Sequence, residues 1–234
     1  MTALIEILQS AGVFVAGLLA RFGLFVAMLA VLVLPALAIA LVIRAVGARR
    51  RKALGLRRVA GILFRPDLSY APGHTWLHPR KRGRGLELGL DDLAQRLLTS
   101  VTAVELPTPG RVVRRGDTLA VLHGGGREVK IPSPIAGTVL GANAAVLRDP
   151  GLVKRDGYGR GWLVAIAPTD AAWEKLPRAA DAESFIRKES ARWSTFFEER
   201  LGFAAADGGE LVAPAPWLVG EEGWRALTAE FLAA

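Results

Sequence analysis

Side chains with the chemistry of a catalytic or metal site are few in this sequence. The histidines are His74, His78 and His123, and there is no cysteine, which excludes a thiol nucleophile, a cysteine-ligated metal and a disulfide framework. The four-residue spacing of His74 and His78 would suit a metal on a helix, but Pro79 follows at once and the segment has a strand-like pattern. No serine lies in a nucleophile-elbow motif. We therefore predict no catalytic residue and no metal site, and we expect that the protein is not an enzyme.

A glycine-rich stretch, residues 121–134, offers a different kind of site. It reads Val-Leu-His-Gly-Gly-Gly-Arg-Glu-Val-Lys-Ile-Pro-Ser-Pro and predicts a β-hairpin with Gly124, Gly125 and Gly126 at its tip. An exposed lysine at such a tip could carry a covalently attached group, but the nearest lysine, Lys130, lies on the predicted return strand. Two interpretations of the glycines stay open: a loosened turn, or a surface where a partner backbone or an anion approaches exposed amides.

The hairpin is one part of a β-rich region over residues 68–170. Short apolar segments alternate there with turns, which is typical of a small sandwich or barrel. The predicted strands are 75–78, 86–90, 100–106, 118–123, 128–131, 137–140 and 161–167. Asp91 or Asp92 is the predicted N-cap of one short helix. Two longer helices are predicted at 181–201 and 221–232, and their aromatic residues either cover the domain's own core or form a docking site.

The N-terminal region has the pattern of a membrane segment. Residues 22–43 carry no charge, and this length in helical form matches a bilayer core of about 30 Å. The run starts too late and is too long for a cleaved signal peptide. The apolar residues before it either extend the spanning helix or lie along the membrane interface.

Basic residues follow the apolar run and set its predicted orientation. Residues 44–84 contain twelve Lys or Arg against one acidic residue, although the whole chain has a net charge of +8. The positive-inside rule places the following domain in the cytoplasm, and anionic lipids should attract the cluster. A nucleic-acid patch is the competing interpretation, which the juxtamembrane position disfavours. The predicted membrane-surface residues are Arg44, Arg49, Arg50, Arg51, Lys52, Arg57 and Arg58.

A second basic cluster, Arg80, Lys81 and Arg82, lies in a predicted loop between strands. It is either an ordinary charged hairpin tip or a contact for the membrane surface or an acidic partner. We predict partner contacts at this loop and at the glycine tip.

Motifs over residues 68–190 resemble, in order and with nearly matching spacing, the H protein of the glycine cleavage system. They are Tyr70 with His74-Thr75-Trp76, Leu88-Gly89-Leu90-Asp91-Asp92-Leu93-Ala94-Gln95, Val104-Glu105-Leu106-Pro107 with Gly110, Ser133-Pro134-Ile135-Ala136-Gly137 with Asn143, Asp156-Gly157-Tyr158-Gly159-Arg160-Gly161-Trp162-Leu163, and Asp181-Ala182-Glu183-Ser184-Phe185. The resemblance implies a mainly β fold, the barrel-sandwich hybrid or hammerhead of lipoyl-like domains, with flanking helices.

The resemblance also implies where a lipoyl group would be attached. In the family the lysine ends a Glu-Ser-Val-Lys motif, and Ser-Pro follows seven and eight positions later. Counting back from Ser133-Pro134 gives Gly126, so both the lysine and the glutamate are absent here. We therefore expect no lipoate and no other cofactor. Lys130 would serve only if the hairpin register slipped by about four residues.

The predicted organisation has five parts. They are an apolar N-terminal segment (1–21), a transmembrane helix (22–43), a basic juxtamembrane linker (44–66), an H-protein-like hammerhead domain (67–177) and a C-terminal helical extension (178–234). We expect a single-pass protein of the inner membrane with its soluble domain in the cytoplasm. Its expected partners are membrane lipids and proteins, with neither nucleic acid nor metal.

The predicted function is that of a non-lipoylated, non-catalytic binding or scaffold subunit of a larger complex. One alternative is a true lipoyl carrier for one-carbon or sulfur transfer, modified at Lys130. A second is an export-system adaptor, but such adaptors place the domain outside the cytoplasm and split the motif around a long helical hairpin.

Overall fold

The computed structural model describes residues 2–80, 83–97, 99–201 and 219–232, with side chains described from residue 11 to residue 200 within those ranges and again from 219. The chain divides after Ala53 into two compact units, an N-terminal helix and a folded domain.

The first unit is one continuous helix, α1 (Thr2–Ala53), of 52 residues. It includes the predicted apolar segment, the predicted spanning segment and the first part of the predicted linker. Helix-forming Leu, Ala, Arg and Lys carry the helix through the basic cluster, and Arg50, Arg51 and Lys52 lie in its last turn, where cations complement the helix dipole. The part from Ala11 to Ala53 has a mean hydropathy of 3.0 in its most apolar window, none of it buried. It is long and apolar enough to cross a membrane.

The rest of the predicted linker, residues 54–66, is part of the folded domain. Strands β1 (Arg57–Val59) and β2 (Ile62–Phe64) form a hairpin, and its two-residue turn has positive φ at Ala60 and Gly61. The hairpin is structured because its apolar residues, Ile62 and Phe64, are fully buried in the core.

Two sheets build the body of the domain. The larger has the order β3-β4-β5-β11-β10-β7 and the smaller has the order β6-β8-β9. The strands of the larger sheet are β3 (Ser69–Ala71), β4 (Thr75–Pro79), β5 (Leu86–Leu90), β7 (Val112–Val113), β10 (Gly137–Ala142) and β11 (Val164–Pro168). Those of the smaller sheet are β6 (Ala103–Glu105), β8 (Thr118–Gly124) and β9 (Arg127–Pro132). One continuous apolar cluster, with residues from both sheets, forms the core.

Trp76 contacts residues of two other sequence motifs. Its ring stacks on that of Tyr158, with centroids 6.5 Å apart, and it lies directly over Gly89 on the neighbouring strand. Any Cβ at residue 89 would overlap the indole ring, so the tryptophan requires this glycine.

Short helices connect the strands, and longer ones follow them. They are α2 (Asp92–Leu97), α3 (Ala144–Arg148), α4 (Leu152–Arg155), a 3₁₀ turn (Ala172–Lys175), α5 (Ala180–Leu201) and α6 (Glu221–Phe231). Trp193 of α5 and Phe231 of α6 pack edge to face, with ring centroids 4.8 Å apart. Both are almost fully buried, so these two aromatic side chains of the extension complete the domain's own core.

Candidate functional site

The glycine-rich hairpin has the predicted shape. Strands β8 and β9 are joined directly by Gly125 and Gly126, whose φ angles are +60° and +75°. Two positive φ values define the turn that best fits the right-handed twist of a hairpin. The connection therefore has two residues, and no helical insertion separates the halves of the motif.

Gly124 has a separate steric reason to be glycine. A Cβ at this position would overlap the backbone carbonyl of Ser100, and the first turn glycine would place its Cβ 2.7 Å from Thr99 Oγ1. The segment that leads into β6 thus lies against the base of the tip. Close approach does occur at these glycines, and the backbone that approaches belongs to the chain itself.

The predicted lipoyl position and the nearest lysine occupy different places on the hairpin. Gly126 is the second turn residue, and a side chain there would extend into open space. Lys130 pairs with Val121 in the middle of the ladder. Its side chain is 68% exposed, and its Nζ lies 3.7 Å from Glu128 Oε1. The structure places this lysine on a strand, away from the turn.

The exposed face of the smaller sheet is polar. His123 Nε2 lies 2.8 Å from Oε1 of Glu105 on the adjacent strand, and Glu128 pairs with His123 across the hairpin. Lys130 lies on this face as well, since strand residues two apart share a face. This group of side chains was not predicted as a site.

The C-terminal helix contacts the hairpin beside its tip. Arg127, the first residue after the turn, donates through Nη2 to the carbonyl of Val219. Its guanidinium carbon lies 4.6 Å from the centroid of the Trp224 ring. Sequence reasoning missed this contact because the two residues belong to different parts of the predicted organisation.

Several motif residues have structural roles. Asp91 Oδ1 accepts hydrogen bonds from the amides of Leu93 and Ala94 at the start of α2, at 2.9 and 3.0 Å, which is the predicted cap. Asp91 Oδ2 lies 2.9 Å from His74 Nδ1, and His74 Nε2 lies 3.6 Å from Glu189 Oε2 of α5.

The environment of His74 shifts its pKa. Burial of the ring alone lowers the pKa, but the charge of Asp91, its hydrogen bond to the ring and the charge of Glu189 together raise the pKa above its ordinary value. The nearby Arg192 acts in the opposite direction. His74 has a positive φ of 57°, a conformation that this buried network holds in place.

The predicted membrane-surface residues divide between the two units. Arg44, Arg49, Arg50, Arg51 and Lys52 lie on α1, whereas Arg57 and Arg58 lie on β1 of the domain, and all seven are exposed. Of the basic loop between β4 and β5, Arg80 is half-buried and its amide donates to the carbonyl of Gly85 at 3.1 Å. Lys81 and Arg82 lie outside the described residues.

No group of three or more His, Asp or Glu side chains that could hold a metal ion occurs among the described residues. His78 Nε2 lies 3.5 Å from Asp67 Oδ2. Asp67 is not one of the carboxylates beside His74, which are Asp91 and Glu189.

Comparison with known proteins identifies a family for the β-rich half of the chain. The model of the glycine cleavage H-protein family matches residues 68–189. The H protein of Thermus thermophilus is 36% identical over 119 residues, which cover 51% of this chain and 90% of that relative. The H protein of Pseudoalteromonas atlantica has the same identity and coverage. The crystal structure of an H protein from Mycobacterium marinum has 24% identity and a TM-score of 0.46, covering 53% of this chain and 99% of that one.

The family match confirms the predicted resemblance and, with the observed sheets and helices, the predicted fold class. Residues 1–67 and 190–234 lie outside the match. By its matched half, this chain belongs to the glycine cleavage H-protein family.

Proposed function

We propose that this protein is a membrane-anchored H-like protein that carries no lipoyl group and acts as a non-catalytic binding or scaffold subunit of a larger complex. The observation that carries the proposal is the hairpin tip, where Gly125 and Gly126 form the turn. A swinging cofactor needs a lysine that projects from the turn, and the residue at the position of the family lysine has no side chain.

The placement of Lys130 also supports this proposal. Its backbone is part of the β8–β9 ladder, opposite Val121, so moving it to the turn would require breaking the paired register. Its exposure keeps open the alternative of a carrier modified at Lys130, in which case the lysine would be acylated on the face of a strand.

The direct connection of β8 and β9 weighs against an export-system adaptor, whose lipoyl-like motif is split by a helical hairpin. The proposal places α1 in the inner membrane, with the basic end of the helix and the domain on the cytoplasmic side. The length and hydropathy of α1 and the asymmetry of Lys and Arg around it support this arrangement. The exposed basic residues would bind anionic lipid headgroups.

Intact-mass measurement tests the absence of a lipoyl group. The full chain is co-expressed with a lipoyl ligase and lipoic acid, beside the variant Lys130→Arg, which keeps the charge but cannot be lipoylated. We expect the mass of the unmodified polypeptide for both chains. A lipoyl adduct on the wild type that Lys130→Arg removes would establish the carrier alternative instead.

A reporter fused after Ala234 tests the topology. An enzyme reporter that is active only in the cytoplasm should be active, and one that is active only outside it should be silent. The opposite pattern would overturn the cytoplasmic placement and revive the adaptor interpretation.

A further inference from the structure

Strand β9 is at the edge of its sheet. It pairs with β8 on one side, and no second strand pairs with it among the described residues. The groups that it presents at this edge follow from the two-residue turn, which makes Gly124 and Arg127 a hydrogen-bonded pair. Hydrogen bonding then alternates along the ladder, so the N–H and C=O groups of Glu128 and Lys130 point away from β8.

A contact on the far side of β8 supports this assignment. The carbonyl of His123, which pairs with Glu128, accepts a hydrogen bond from the amide of Thr102 at 2.8 Å. The backbone of His123 thus points away from β9, as expected for a residue at a non-hydrogen-bonded pair. Its partner Glu128 must point away from β8 in the opposite direction, to the open edge.

Helix α6 forms the second wall of a groove along this edge. The groove has a volume of about 370 Å³ and is lined by Glu128, Val129, Lys130, Thr228, Ala229 and Leu232. An edge strand beside a helix is the arrangement in which extended peptides add to a sheet.

We propose that this groove binds an extended segment of another polypeptide by antiparallel strand addition to β9. The segment carries an acidic residue, an apolar residue and a basic residue in succession. The acidic residue pairs with Lys130 and the basic residue with Glu128, because cross-strand pairs of opposite charge are favoured. The central side chain lies on the same face as that of Val129 and faces Ala229 of α6 and Leu232, which follows the helix.

The length of the segment is limited at both ends of β9. Gly126 belongs to the turn, and Pro132, which lies at the next outward position after Lys130, has no N–H to donate. Strand addition therefore uses the backbone groups of two residues, Glu128 and Lys130.

A folded second copy of this chain does not fit the groove equally well. Its own β9 has the required sequence Glu128-Val129-Lys130, but its Val129 is only 2% exposed and faces its own core. An extended peptide has a free inner face that can lie against α6. The inference names the class of partner for the binding role proposed above, namely an extended peptide. It rests on the proposed function only for the biological purpose of this binding.

The experiment uses the full chain in detergent micelles and a fluorescent peptide, Thr-Glu-Val-Lys-Thr, blocked at both ends. We expect saturable binding that weakens at least about tenfold for the charge-reversed peptide Thr-Lys-Val-Glu-Thr. The double variant Glu128→Lys/Lys130→Glu should reverse this preference. Both side chains are at least half exposed and pair with each other, so the double variant should retain the fold, which circular dichroism verifies.

Two N-methylated peptides separate strand addition from charge attraction alone. A methyl on the glutamate nitrogen removes the N–H that donates to the carbonyl of Lys130, and binding should fall at least about tenfold. A methyl on the valine nitrogen, which points away from β9, should be tolerated.

Equal effects of the two methyl groups, equal binding of the two charge patterns, or no saturable binding would overturn the inference. Self-association of the chain that the single variant Glu128→Lys abolishes would also overturn it, in favour of a second copy. None of these results depends on the intact mass of the protein. The peptide-binding inference and the proposal that the protein carries no lipoate can therefore be refuted independently.

Discussion

Arg127 and Trp224 join the hairpin tip to the C-terminal helix. The guanidinium carbon lies 4.6 Å from the centre of the indole ring, and the same guanidinium donates to the carbonyl of Val219. Arg127 lies just after the turn and within the family match, whereas Trp224 lies outside the match. Helix α6, which lies outside the match, is therefore an integral part of the domain that presents the hairpin.

Replacing Trp224 by alanine should destabilise the domain. The side chain is 6% exposed, and truncation of a buried aromatic residue removes about 3–5 kcal/mol of unfolding free energy. Urea unfolding of the full chain in detergent measures the effect, and hydrogen exchange should show faster exchange in β9. Arg225→Ala, at an exposed neighbouring position of α6, is the control. Equal stability of the two variants would show that α6 is not coupled to the hairpin.

Gly124→Ser should also destabilise the domain, although serine stands at this position in the family motif that the hairpin resembles. Its Cβ would overlap the Ser100 carbonyl, and relief of such overpacking costs about 1–3 kcal/mol. Gly141→Ala is the matched control, since that glycine lies in β10 and a methyl group added to its Cα would have no neighbouring atom within 4 Å. A fully stable Gly124→Ser variant would mean that the segment at Ser100 can move away without cost.

Most of the fold could be predicted from the sequence because each strand has its own local signal. The apolar pattern of residues 86–90 predicts a strand, and these residues form β5. The short helix is capped by Asp91, one of the two caps that the sequence left open. The β1–β2 hairpin could not be predicted in this way. Its three-residue strands follow a basic cluster, and they are stabilised by long-range contacts, among them the burial of Ile62 and Phe64 in the core and the hydrogen bond from the Tyr158 hydroxyl to the carbonyl of Leu63.

The hairpin site was less predictable than the fold. The sequence indicates a turn at Gly124–Gly126, but it does not show that Ser100 lies against Gly124, because the two residues are far apart in the chain. Predicting the groove beside β9 would require the position of α6, and that position depends on the packing of Phe231 against Trp193. Long-range contacts of this kind leave no periodic pattern in a single sequence.

The buried His74 network should make stability depend on pH. The folded-state pKa of His74 is raised above the unfolded value of about 6.5, so its contribution is fully present below that value and is lost as the pH rises through the folded pKa. The difference in unfolding free energy between wild type and His74→Asn should thus be larger at about pH 5.5 than at about pH 9. A difference that grows with pH would contradict the assignment.

Asn143 should be among the most sensitive polar residues of the domain. Its Oδ1 accepts from the amide of Ala145 at 3.0 Å, and its Nδ2 donates to the carbonyls of Arg160 and Trp162 at 2.7 and 2.6 Å. Asn143→Ala removes a helix cap and leaves two carbonyls without their donor, for a loss of about 2–4 kcal/mol in unfolding free energy. Asn143→Asp keeps the cap acceptor but not the donor. If the aspartate variant were as stable as wild type, the two carbonyl contacts would contribute nothing.

Restoring a lysine at the tip should turn the hairpin into a better substrate for lipoylation than the wild type. The side chain of Gly126→Lys would extend into open space, although the φ of +75° costs a non-glycine residue about 1–2 kcal/mol. Co-expression with a lipoyl ligase and intact-mass measurement should give a lipoylated fraction for Gly126→Lys and none for wild type. Val121→Lys, which adds a lysine on the strand opposite Lys130, is the control and should stay unmodified if lipoylation needs a lysine that projects from the turn, as proposed above. If Val121→Lys were lipoylated and Gly126→Lys were not, the turn would not be the position that the ligase modifies. The proposal that Gly126 marks a vacant attachment site would then lose its main support.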